Sequence, residues 1–203
     1  MKIRKELSVL LLLLSLVLAL LPISANRSFT ANPDKLLSDL LTKDLSFTAD
    51  QVAEFVVRED STVQLIDLRP SEEDRKQSIP GAVSIPYAEF ISKDPEIWLG
   101  NKNIRNIFYA TGGMEADFAL VYARGMGYTN SYVMDGGIGE WISTVIGTKF
   151  TGERITAREN ALFETRKRAG EMFTELNSLP DSLKTKYLES RKFSAKKLDG
   201  GCE

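Results

Sequence analysis

Four short apolar runs, "VQLID", "AVSI", "NIFY" and "YVM", recur between residues 63 and 134, each separated from the next by a helical or turn-forming segment. No other feature constrains the fold as strongly. Runs this short, continuous rather than alternating in polarity and rich in β-branched and aromatic residues, suit strands buried on both faces. Helices between such strands supply the covering layers, so the pattern predicts an α/β fold with a mainly parallel sheet, to which residues near Phe47 add a short first strand. "FTADQVAEFVV" places Thr48 and Gln51 as a capping box, with Phe47 and Val52 at staple positions, and predicts a helix start there. After Gly147 the strand signal ends. "TARENALFETRKRAGEMFTEL" opens on a second capping box, Thr156 and Glu159, and spaces Leu162, Phe163, Ala169, Met172, Phe173 and Leu176 along one face. Another helix is expected after Ser178, with Pro180 in its first turn and Leu183, Tyr187 and Leu188 facing inward. Packing back on the core is the default for such a pair, and Arg166, Lys167 and Arg168 read as a solvated face.

The ends differ in composition. Residues 1–25 carry Lys2, Arg4 and Lys5, then a Leu-rich run to Leu21, then Pro22 and the small pair Ser24 and Ala25. This is the pattern of a secretory signal peptide cleaved after Ala25, with an uncleaved anchor as the alternative. The expectation is an exported protein, periplasmic or secreted, with no stable membrane insertion after cleavage. Residues 26–43 read as a polar linker, 44–147 as the α/β domain and 148–203 as a helical extension. Its end, "AKKLDGGCE", is a glycine-rich tip carrying Cys202.

Composition removes several classes of function. The chain has no His and one Cys, which leaves no His-based triad, no Cys cluster for zinc and no intrachain disulfide. No cofactor and no metal is expected. A formal net charge of -2 gives no basic field for nucleic acid.

The order and spacing of several motifs resemble the rhodanese family, a single-domain sulfurtransferase fold, across roughly residues 47–141. Asp67-Leu68-Arg69 resembles the family's Asp-x-Arg at the end of the second strand, with Glu73 as the acidic residue that follows. Ile79-Pro80-Gly81-Ala82 resembles its Ile-Pro-Gly-Ala turn, and Asp135-Gly136-Gly137-Ile138 with Trp141 its closing segment. For these residues a scaffold role is the expectation: a locked turn at Asp67 and Arg69, and positive φ at Gly136 and Gly137. The resemblance implies that the strand ending at Tyr109 feeds a loop whose amides, in active members, converge on a Cys thiolate and its persulfide. In this sequence the loop is Ala110, Thr111, Gly112, Gly113, Met114 and Glu115, with Ala110 where the Cys would stand and Glu115 at or near the place of an Arg. A methyl group carries no sulfur, and a carboxylate there repels anionic donors. Glu115 is instead expected to cap the following helix. The Gly-His that precedes Ile-Pro-Gly in the family is replaced by Gln77 and Ser78.

Two functional readings follow. One is a catalytically inactive module that binds a protein or small-molecule ligand, with a homo-oligomer through the C-terminal helices as a further possibility. The alternative is a sulfur-carrier or sulfurtransferase-related role through the one candidate reactive thiol, Cys202, against which stands the absence of a basic residue nearer in sequence than Lys196 and Lys197.

Overall fold

The computed structural model describes residues 7, 10–13, 15, 29–41, 45–112, 114–149 and 156–197. The chain divides into two compact units, Met1–Thr30 and Ala31–Glu203. In the first, residues 10–13 are helical and Leu10, Leu11, Leu12 and Leu13 are exposed. Ala25, the expected cleavage point, lies outside the described residues, as does Cys202. Among the described residues no helix is long and apolar enough to cross a membrane.

The second unit is built on a parallel sheet of β1 (Ser46–Phe47), β2 (Val63–Asp67), β3 (Val83–Ser84), β4 (Arg105–Tyr109) and β5 (Ser131–Met134), in the order β1-β5-β4-β2-β3. Successive strand residues point to opposite faces, and both faces here are dry. Leu65, Ile107 and Tyr109 join one apolar cluster, whereas Ile66, Leu68 and Phe108 join the other. That is why "VQLID" and "NIFY" are continuous rather than alternating in polarity.

Helices cover both faces. α1 is Pro33–Leu40, α2 Ala49–Arg58, α3 Ser71–Lys76, α4 Tyr87–Ser92, α5 Glu96–Leu99, α6 Glu115–Gly125 and α7 Gly137–Trp141, after which Ile142–Ile146 form a π-helical turn. Phe90, Leu99 and Leu120 of α4, α5 and α6 pack on the Ile66 and Phe108 face, while Val52, Trp141 and Val145 pack on the other. The Thr48 capping box forms as expected: Thr48 Oγ1 accepts from the Gln51 amide and Gln51 Oε1 from the Thr48 amide. Within the segment read as linker, α1 is a formed helix. Asn32 caps it, Leu36 is buried, and the Ala31 amide donates to the Gly125 carbonyl at the end of α6.

Two long helices end the described chain, α8 (Ala157–Ser178) and α9 (Asp181–Lys197). The Thr156–Glu159 capping box forms. α8 lies on α2 and the π-helical turn, burying Ala169, Phe173 and Leu176, with Leu162, Phe163 and Met172 half-buried. Two expectations are corrected. Arg166 is not part of a solvated face: its guanidinium grips Asp50 of α2 through Nε–Oδ1 and Nη2–Oδ2 contacts of 2.6 and 2.7 Å. On α9, Leu188 is buried, but Leu183 points outward at 51% exposure and Lys184, 3% exposed, takes the inward place. Pro180 precedes α9, its carbonyl accepting from the Leu183 and Lys184 amides.

Candidate functional site

β2 and β4 are paired with Asp67 opposite Tyr109, so both strands end together and their following segments share the C-terminal edge of the sheet. In open α/β sheets that edge is where sites are built. Ala110 follows β4 directly and is buried, its carbonyl accepting from the Ile138 amide at 2.9 Å. Two glycines allow this closeness. Gly136 and Gly137 sit at φ 68° and 57°, and a Cβ on Gly137 would fall 2.3 Å from the Ala110 carbonyl oxygen. The positive φ expected of both residues is therefore present, and at Gly137 close approach adds a second requirement.

Beyond Ala110 the loop turns outward. Thr111 and Gly112 are exposed, Gly112 at φ 122°, and Met114 is 66% exposed. Gly113 lies outside the described residues. Thr111 Oγ1 donates to Glu73 Oε2 at 3.1 Å, and Arg69 Nη1 lies 3.9 Å from the same oxygen. Glu115 is the first residue of α6, not its cap: Met114 holds the cap position without a side-chain bond. A carboxylate in that first turn still suits the helix dipole.

Beneath the loop lies a buried charged cluster. Arg69 clasps Asp67 through Nε–Oδ1 at 3.0 Å and Nη2–Oδ2 at 2.6 Å, and Nη2 also donates to the Gln77 carbonyl at 2.6 Å. The pair locks the chain between β2 and α3, the scaffold role expected of it. The Tyr109 ring lies under the guanidinium, 5.8 Å from Arg69 Cζ, and burial followed by the Asp67 charge pushes the phenol well above its ordinary pKa. Asp74 is also buried. Desolvation, then repulsion from Asp67, raises its carboxyl to about 6.

The substituted pair Gln77 and Ser78 meets the C-terminal helices. Asn177 on α8 accepts from the Ser78 amide at 2.9 Å and donates to the Ser78 carbonyl at 3.0 Å. Lys184 Nζ donates to Asn177 Oδ1 at 2.6 Å and to the Lys76 carbonyl at 2.9 Å; burial lowers its pKa, opposed by the Asp74 and Asp181 charges. Asp74, Asn177 and Lys184 are the residues that sequence reasoning passed over. Asp74 sits in the charged run "SEEDRK", and the other two interrupt amphipathic helices, so nothing local marks them. Among the described residues no cluster of acidic or thiol groups is placed to hold a metal ion.

A parallel five-stranded sheet with a glycine-supported loop after β4 defines the class of domain. Residues 48–144 match the family described as Rhodanese-like domain, and this part of the chain is a rhodanese-like domain. Solved structures that resemble it include a single-domain sulfurtransferase of Saccharomyces cerevisiae, 24% identical, covering 51% of this chain and 92% of that one at a TM-score of 0.43. A rhodanese-like domain protein of Staphylococcus aureus is 26% identical over 47% of this chain and 89% of its own, at 0.41. A protein of Rhodopseudomonas palustris described as a possible tyrosine phosphatase is 21% identical over 61% and 97%, at 0.45. No curated protein matches the chain.

Proposed function

We propose that this chain is an exported rhodanese-like protein that has lost sulfur transfer and serves as a binding or regulatory module. The observation that carries the reading is Ala110. It stands directly after β4, where the loop begins, and its methyl group offers neither nucleophile nor ligand. The surrounding side chains support the same view, since Thr111 is engaged by Glu73 and Glu115 places a negative charge where an anionic sulfur donor would approach. The sole thiol, Cys202, lies outside the loop sequence. Export rests on the pattern of residues 1–25. A protein or small-molecule ligand is the expected partner class.

The test is thiocyanate release from thiosulfate and cyanide by the purified full chain, beside Cys202→Ala. No turnover above buffer is expected from either. Turnover that survives Cys202→Ala would overturn the inactive reading, and turnover lost with Cys202 would assign sulfur chemistry to that residue.

A further inference from the structure

The helix that follows the loop, α6, keeps small residues inside and large ones outside at its N-terminal end. Its buried face is made of Ala116, Ala119, Leu120 and Ala123, while Phe118 stands 52% exposed. Met114, at the cap position, is exposed as well, and the Phe118 amide donates to its carbonyl at 2.9 Å. The two side chains are therefore one turn apart on the same side of the helix. Val121 and Tyr122, both half-buried, continue that side, and the Tyr122 ring meets Phe90 of α4 at 5.9 Å. A lone exposed apolar residue is ordinary. Two large neighbours aligned on one face, beside a loop at the C-terminal edge of the sheet, are the mark of a surface that another molecule covers.

Charge says what that molecule is. Between Arg105 and Arg124 the chain has no Lys or Arg, and its only charged residues are Glu115 and Asp117, both exposed on the first turn of α6. Glu73, bonded to Thr111, adds a third carboxylate beside the loop. The nearest basic groups are committed elsewhere. Arg69, 3.9 Å from Glu73, is buried on Asp67 and the Gln77 carbonyl, and Arg124 pairs with Asp39 at 3.7 Å. An anionic ligand or lipid surface meets repulsion here, and a second copy docked symmetrically would set Glu115 and Asp117 against themselves. We infer that this side of α6 docks a segment of another protein in which apolar side chains cover Met114 and Phe118 while flanking Lys or Arg residues meet Glu115 and Asp117. The inference rests on the binding-module reading and gives the partner its chemistry.

A matched pair of probes tests the inference. Two amphipathic peptides of equal length carry the same leucines, with lysine at every polar position in one and glutamate in the other. Each is titrated into the isotopically labelled full chain and followed by amide chemical shifts. The lysine peptide is expected to shift the amides of Met114, Glu115, Phe118 and Val121, and the glutamate peptide to leave them in place. Phe118→Ser should weaken the lysine peptide by roughly tenfold or more, the value of one large apolar contact. Glu115→Gln with Asp117→Asn should weaken it about two- to tenfold, the range of two exposed ion pairs. If the lysine peptide shifts none of these amides, if the two peptides bind equally well, or if Phe118→Ser binds as the wild type does, the inference fails. The wild-type comparison decides alone should a variant not fold. A wild-type dimer in sedimentation that Phe118→Ser dissolves would give the face to a second copy and overturn the inference too. Thiocyanate turnover would instead overturn the inactive reading and leave these titrations as they are, so the two failures are distinguishable.

Discussion

The loop after β4 and the seam under α8 and α9 flank the same stretch, residues 67–81, and they have been altered in opposite ways. At the loop the backbone support is in place: Gly137 leaves room for the Ala110 carbonyl, and the Ile138 amide bonds to it. On the proposed reading, Ala110 supplies no nucleophile at its start. At the seam, Gln77 and Ser78 stand where the family has Gly-His, and the polar groups they expose have been taken up. Arg69 holds the Gln77 carbonyl, while Asn177 holds both polar groups of the Ser78 backbone. Residues 77 and 78 thus serve as a docking strip for the chain's own C-terminal helices. The contrast teaches that a fold can keep the backbone framework of a loop through glycines while a neighbouring strip is held by side chains from a distant part of the chain.

The strongest way to break this contrast is at the framework. Gly137→Ala should cost about 3 kcal/mol or more, since the substitution combines a positive φ with a backbone clash at Ala110. Denaturant unfolding reads it directly. A loss below about 1 kcal/mol would mean the loop yields freely, and the preserved-framework half of the comparison would fall. On the seam side, Phe173→Ala should cost about 3 kcal/mol, the usual figure for emptying a buried aromatic site. If unfolding instead proceeds in two steps, with the extension leaving first, the seam is weaker than its packing implies.

How much of this was legible in the sequence follows from the range of the interactions. β2 falls on "VQLID" residue for residue, and both capping boxes form, because strand burial and helix caps are local and periodic. The Asp67–Arg69 lock spans two residues and could be anticipated as a turn device. The seam could not. Ser78 and Asn177 are 99 positions apart, and an Asn on an amphipathic helix has the same local signature whether it meets water or a buried amide. Leu183 and Lys184 exchanged their expected places for a related reason. A lysine whose ammonium can reach the Lys76 carbonyl and Asn177 Oδ1 is better placed inside than hydrophobicity suggests, and the adjacent leucine then turns out. Arg166 likewise has its partner, Asp50, on a helix 116 positions away.

Asp74 lies between the two regions and gives the third prediction. Its carboxyl is raised to about 6 by burial and by Asp67, against 3.8 for the ordinary group. The folded state therefore holds this proton more tightly than the unfolded chain does. Asp74 contributes its stability fully below about pH 4, and that contribution is lost as pH rises through about 6. Wild type should lose up to about 3 kcal/mol across this window that Asp74→Asn does not lose. Parallel pH profiles for the two proteins would disprove the assignment.

The smallest effect separates the two regions most cleanly, because it compares one polar link on each side. Asn177 spends its full capacity at the seam: Oδ1 accepts from Ser78 and Lys184, and Nδ2 donates to the Ser78 and Phe173 carbonyls. Asn177→Ala leaves the fully buried Ser78 backbone and the Lys184 ammonium short of partners, and about 1 to 2 kcal/mol should be lost. At the loop, Thr111 Oγ1 meets Glu73 at an exposed position where water replaces a lost bond, so Thr111→Ala should cost less than about 0.5 kcal/mol. Hydrogen exchange adds the spatial readout. Asn177→Ala should speed exchange at the Ser78 amide, while Thr111→Ala should leave the Ile138 amide, bonded to the Ala110 carbonyl, as slow as in the wild type. Equal losses in the two variants, or faster exchange at Ile138 in Thr111→Ala, would show that the loop's polar link helps hold its framework, and the two regions would then not differ in the way described.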